Sequence, residues 1–317
     1  MPWFSRLTSL VPDPVPSPPA LPGHAAWLAR HGWSDPEVWM QHWHARGGVG
    51  LAASAWPFVV SEEWLWGLGF PLLTALEQAV SHQERQLIGL SGLPGCGKSS
   101  LAAWIHEASV CLELPVAVIS LDDFYWPSER MDQALVGNPW GVPRALPGSH
   151  DLALLERSLN QWRATGTLRA PRFEKSLREG KGDRCGWQTL RADVLLFEGW
   201  FLGAHPEASE ELDPELSDEE RRYRPNVLAA LEHYLPCWQS LDQLWHLRAP
   251  SVSATRLWKR QQELAMQSKT GVCLSDQCLH QFVRMIETCL PQKALQSIPN
   301  ADVVVQLTDD RVVCELL

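Results

Sequence analysis

Short apolar runs rich in β-branched residues alternate with amphipathic stretches from about residue 65 to the end of the chain. Runs at Gln86–Ser91, Val116–Ser120, Val194–Phe197 and Val303–Leu307 read as strands, with a weaker one at Gln243–Leu247. Leu152, Leu155, Leu159 and Trp162 fall at 3-4-3 spacing and draw an apolar stripe down one helix face. Leu65–Val80 is expected to be a helix leading into the first clear strand. Strands alternating with helices predict an α/β fold: a mostly parallel sheet covered on both faces. The fully apolar Val194-Leu195-Leu196-Phe197 suits the centre of such a sheet.

Three segments interrupt the alternation. Residues 1–22 carry prolines at 2, 12, 14, 16, 18, 19 and 22 and read as an extended leader. Residues 23–61 place Trp27, Trp33, Trp39 and Trp43 at helix-like spacing, which predicts a small N-terminal helical extension before a main domain over 62–317. Asn138–Ser149, rich in proline and glycine, is expected to be loop, and the acidic stretch His205–Glu220 to be a solvated insertion.

Composition narrows the function classes. With 27 basic and 37 acidic residues the net charge is −10, which gives no footprint for nucleic acid or anionic lipid. No uncharged apolar run is long enough to span a membrane, and the proline-broken start does not resemble a signal peptide. The eight cysteines lack Cys-x-x-Cys and paired Cys/His spacing, so reduced thiols in a cytoplasmic enzyme are expected rather than zinc or disulfides. The seventeen tryptophans are read as packing residues.

Gly92-Leu93-Pro94-Gly95-Cys96-Gly97-Lys98-Ser99 matches G-x-x-x-x-G-K-[ST] between an expected strand and an expected helix that continues through Ser100. Glycines let the backbone wrap phosphate oxygens, so its N–H groups and the helix N-terminus point at the anion. Lys98 would reach the β- and γ-phosphates, and the Ser99 hydroxyl would hold Mg²⁺. The expected ligand is a nucleoside triphosphate in a P-loop fold. The Asn-Lys-x-Asp motif of a GTPase is absent. Ser120-Leu121-Asp122-Asp123-Phe124-Tyr125 follows the second strand, and Glu198 ends Val194–Phe197. Carboxyl ends of parallel strands face the ligand crevice, so one of these acids can take a proton from an acceptor hydroxyl while another holds Mg²⁺ or its water.

Those motifs are joined by Leu146-Pro147-Gly148-Ser149-His150-Asp151, Pro171-Arg172-Phe173-Glu174-Lys175-Ser176, Gly180-Lys181-Gly182-Asp183-Arg184 and Phe197-Glu198-Gly199-Trp200. Together they resemble the plant-type D-glycerate 3-kinase family, within the uridine-kinase-like P-loop kinases, from about Leu65 to Val305. The resemblance implies transfer of phosphate from ATP to D-glycerate to give 3-phosphoglycerate, the closing step of photorespiratory carbon salvage. It puts the base at Asp122 and leaves Asp123, with Glu198 and Ser99, to the metal. Glycerate brings a carboxylate, which Arg172, Lys175, Lys181 and Arg184 could meet, with His150 binding substrate oxygens or bracing the loop. Arg256 and Arg260, one helical turn apart, correspond to lid arginines, with Lys259 off their face.

The chain departs from the family at several places. Ser149 stands for a threonine, Phe173-Glu174 for Tyr-Asp, and Arg144-Ala145 for Arg-Gly. Phe282–Ser297 keeps Pro291 but lacks the tyrosines expected beside it. The rival expectations are a kinase of another hydroxylated metabolite (nucleoside, pantothenate or sugar phosphate) and a non-catalytic ATP-binding regulator. The oligomeric state is not legible.

Overall fold

The computed structural model describes residues 21–56, 60–211, 213–270 and 275–317. The expected leader falls almost entirely outside them. Six strands form the main sheet: β1 (Gln86–Gly92), β2 (Val116–Ser120), β5 (Val194–Gly199), β6 (Gln243–Arg248), β7 (Val303–Leu307) and β8 (Val313–Leu316), in the order β2-β5-β1-β6-β7-β8. All neighbours are parallel except the antiparallel β7–β8 pair. Helices cover the sheet, giving the three-layer α/β sandwich that the alternation predicts. The weakly apolar run at 243–247 becomes β6, directly beside β1. Its Trp245 and Leu247 are buried, while His246 supplies the polar signal that blurred the run.

Several elements went unread, the antiparallel edge strand β8 among them. The segment that carries Arg172, Lys175 and Arg184, to which the sequence assigned no strand, is an antiparallel hairpin, β3 (Thr167–Glu174) with β4 (Asp183–Arg191), separate from the main sheet. β3 buries Leu168, Ala170 and Pro171, but β4 has only exposed and half-buried positions, and a proline in one strand and a glycine in the other interrupt them, so the pair lacks a strong apolar period. The acidic stretch is not wholly solvated. Ser217 caps the helix Asp218–Glu232 with Glu220 in a reciprocal capping box. Glu220 is buried against Arg284 at 2.5 Å, and Asp213 is buried against Arg224. Paired acids can enter a core that isolated ones cannot.

The helix expected over Leu65–Val80 opens as a wide π turn at Leu65–Gly69 and tightens at Phe70–Val80. The tryptophans of the N-terminal segment enter the same core. Trp39 and Trp43 both donate their indole N–H to Thr74 Oγ1, at 2.9 and 3.0 Å, and Trp27 packs edge-on against Trp245. Trp104, on the helix Lys98–Cys111, donates to the Leu51 carbonyl at 2.8 Å. The segment therefore braces the helix that carries the phosphate loop. None of the described helices is long and apolar enough to cross a membrane.

Candidate active site

Strand register decides which chemistry meets. Leu90 of β1 and Ser120 of β2 both pair with Glu198 of β5. The phosphate loop, the Ser120–Tyr125 turn and Glu198 consequently emerge at one carboxyl edge. Between β1 and the helix Lys98–Cys111, Gly95 adopts φ +87° and a Cβ there would stand 2.7 Å from Trp258 Cβ, so only glycine fits. Arg311 Nε donates to the Gly95 carbonyl at 2.7 Å. Lys98 is buried, its Nζ donating to the Leu93 carbonyl at 3.2 Å, while Ser99 is exposed and Ser100 half-buried. Cys96 is buried with Sγ 3.9 Å from Lys98 Nζ.

The turn Leu121–Phe124 is capped by Ser120, whose Oγ accepts from Asp122 N at 3.2 Å and donates to Glu198 Oε1 at 2.7 Å. Asp123 accepts from Ser120 N at 3.3 Å, so it completes the cap as well as standing at the edge. Burial, with the charges of Asp122 and Glu198 nearby, pushes the Asp123 carboxyl up to about 6. Such crowding of hard oxygen donors suits a divalent cation. Among the described residues no three His, Cys, Asp or Glu side chains form a ready-made metal cage. A Mg²⁺ site shared with phosphates needs only one or two protein oxygens.

Asp122 lies 2.6 Å from Lys175 Nζ, which follows β3 at the start of the hairpin loop. Burial pushes its carboxyl up, but the Lys175 ammonium overrides this. Aided by the Tyr125 hydroxyl, Lys175 holds the group well below the usual carboxylate range. Tyr125 stacks on His150, ring centroids 4.4 Å apart. His150 is buried, which drives its pKa down to about 3, and its Nδ1 lies 2.7 Å from the Tyr234 hydroxyl. The structure thus gathers Asp122, Lys175 and His150 in one place.

The other expected residues are placed differently. Arg184 braces the loop, its Nε donating to the Tyr125 carbonyl at 2.8 Å and its Nη2 pairing with Asp151 at 3.2 Å. Arg172 stands exposed on β3, with no side-chain partner among the described residues. Arg256 and Arg260 lie on the exposed face of the helix Ala254–Thr270, where Arg256 forks onto Glu287 at 2.5 and 2.8 Å. Its inner face carries Trp258 against Gly95 and the buried Lys259. Burial lowers the Lys259 pKa, helped by the Lys175 and Arg144 charges, while Glu263 at 3.3 Å opposes. Sequence reasoning gave neither cation a role: it set Lys259 off the arginine face and named Arg144 only as part of a departure from the resembled family. The signal for Lys259 was its adjacency to Trp258 on the apolar face. Ala145, where the resemblance implied a glycine, sits buried at φ +80°, a conformation that strains any residue with a Cβ.

No family model matches the chain. It is 30% identical over 213 residues to a chloroplastic D-glycerate 3-kinase of Arabidopsis thaliana, covering 62% of this chain and 45% of that protein. It is also 30% identical over 228 residues to the uncharacterized kinase mug58 of Schizosaccharomyces pombe, covering 67% of this chain and 82% of that protein. The chain belongs to the D-glycerate 3-kinase family of P-loop kinases. Another member of similar reach is the probable ATP-dependent kinase TDA10 of Saccharomyces cerevisiae, 30% identical over 62% of this chain and 73% of that protein. The family fold is met again in solved structures. The YGR205w protein aligns with a TM-score of 0.65 at 24% identity, over 78% of this chain and 97% of that one. A D-glycerate 3-kinase from Cryptococcus neoformans aligns with a TM-score of 0.64 at 22% identity, over 79% and 96%. This family member spans just under half the length of its Arabidopsis relative.

Proposed function

We propose that this kinase transfers the γ-phosphoryl group of ATP to D-glycerate, giving 3-phosphoglycerate and ADP. The observation that carries the reading is the Asp122–Lys175 pair beside the phosphate loop: a carboxylate for the acceptor's proton, held by a cation that can turn to the acceptor's own carboxylate. Backbone N–H groups of residues 92–99 and the Lys98 ammonium would take the phosphates. Ser99, Glu198 and Asp123 would hold Mg²⁺ directly or through water, and the ion would neutralise charge on the phosphate oxygens. The acceptor hydroxyl oxygen bonds to the γ-phosphorus as the bond to the ADP oxygen breaks. The hydroxyl proton passes to Asp122.

The acidity of Asp122 gives this assignment a testable edge. While Lys175 holds it, the carboxylate is a poor base. An arriving substrate carboxylate competes for Lys175, weakens the pair and lets Asp122 accept a proton. Lys175→Met is therefore expected to raise the acceptor KM by about 10- to 100-fold, the worth of one charged hydrogen bond. It should also raise ATP hydrolysis in the absence of acceptor. An unchanged acceptor KM, measured by ADP release, would remove Lys175 from the substrate site.

The free cysteines among the described residues fit a reducing compartment, and we place the enzyme in the cytoplasm. Its proposed place in metabolism is the closing step of photorespiratory carbon salvage. The deciding experiment is ADP release from Mg-ATP with D-glycerate, L-glycerate, uridine, pantothenate or no acceptor. Stimulation by D-glycerate alone, with 3-phosphoglycerate formed, is expected. Stimulation by a different acceptor keeps the kinase chemistry and discards glycerate. ATP binding without turnover under any acceptor would favour a regulator.

A further inference from the structure

Tyr234 lies between the helices Asp218–Glu232 and Leu235–Gln239, fully buried against Phe201 and Trp238. Its oxygen accepts from Gly148 N at 2.9 Å and also faces the backbone N–H of His150. With two N–H groups directed at that oxygen, the hydroxyl hydrogen is left for His150 Nδ1, 2.7 Å away. Ser149 Oγ is the other neighbour of Nδ1, at a longer 3.4 Å, and it spends its own hydrogen on the Leu146 carbonyl at 2.5 Å. A ring nitrogen that accepts from a hydroxyl is bare, so the neutral imidazole carries its proton on Nε2.

Nε2 is buried and has no partner among the described residues. The ring that bears it stacks on Tyr125, whose hydroxyl bonds Asp122, and it lies within reach of the Asp122 charge. Buried donors are rarely left without an acceptor, and one beside the acceptor's base suggests that the ligand supplies it. Resting on the kinase reading above, we infer that Tyr234 is a positioning residue: it fixes His150 as the Nε2–H tautomer, which donates to a hydroxyl or carboxylate oxygen of the acceptor. Burial keeps the imidazole neutral, with its pKa about 3, so the ring acts as a dipole and not as a cation.

The first test needs no substrate. Long-range ¹H–¹⁵N correlation spectra of the full chain with labelled histidine, assigned by comparison with His150→Gln, should show a bare Nδ1 and a protonated Nε2. A proton on Nδ1 overturns the inference. The second test is a coupling cycle. Tyr234→Phe keeps the ring packing and is expected to raise the D-glycerate KM about tenfold with the ATP KM unchanged. In a His150→Gln background the amide supplies an N–H that has no tautomer, so Tyr234→Phe should add less than about twofold. Equal losses in both backgrounds would assign Tyr234 to packing alone and overturn the proposal. If D-glycerate proves not to be phosphorylated while Nε2 carries the proton, the acceptor assignment fails and the tautomer stands. A proton on Nδ1 with glycerate turnover intact fails Tyr234 alone.

Discussion

Asp122→Asn is expected to lower turnover by about 10²–10⁴-fold while leaving ATP affinity close to that of the parent enzyme. The amide keeps the shape of the side chain and its place after the Ser120 cap but cannot take the hydroxyl proton. It also loses the ion pair with Lys175, so that lysine is left free to bind an acceptor carboxylate. The acceptor KM should consequently stay level or fall while kcat collapses, a pattern that a merely structural lesion would not produce. Initial rates over a matrix of ATP and D-glycerate concentrations separate the two constants. Turnover within about threefold of the parent would sink the assignment of Asp122 as base, because general-base losses are far larger.

Lys98→Ala is expected to abolish productive use of ATP, with a loss of about 10³-fold or more in kcat/KM for the nucleotide. Lys98 is buried at the start of its helix, where a cation acts on phosphate charge with little solvent screening. Its ammonium also bonds the Leu93 carbonyl, so the alanine variant loses one internal brace of the loop. Circular dichroism and the thermal midpoint distinguish loss of that brace from loss of charge: a folded variant with the parent's midpoint and no turnover carries the prediction. Lys98→Arg, which restores the charge with a bulkier head in a crowded loop, should recover little activity. Turnover near that of the parent in Lys98→Ala would mean that another cation, such as Lys259, does the work assigned to Lys98.

Much of the architecture was legible because buried parallel strands declare themselves. Val194 to Phe197 could be assigned from composition alone, and in the fold all four are fully buried in β5, an interior strand one in from the β2 edge and not at the very centre of the sheet. The helix begun by Asp151 was legible from its stripe, and Leu155, Leu159 and Trp162 are its buried face. The β3–β4 hairpin was not legible, since a two-stranded ribbon outside the main sheet has no uniformly buried face to impose a period. The acidic stretch misled for a related reason. Charge density predicts solvent only when no partner is in reach, and Arg224 and Arg284 lie close by only after the chain has folded.

The sequence by itself determined the phosphate loop, the Ser120–Tyr125 motif and five strands of the main sheet, and its motifs carried the resemblance to the kinase family. These depend on local spacing or on apolar period, which a linear chain carries in full. Tertiary structure alone decided the electrostatics of the site. Lys175 meets Asp122 only because β3 folds back toward the carboxyl edge of β2, and Lys259 faces inward only because Trp258 seats its helix against Gly95. Tyr234 reaches His150 across 84 residues of chain, a contact that no spacing rule encodes. Proton affinity and hydrogen-bond direction depend on distances between side chains remote in sequence, and those distances exist only once the layers have packed.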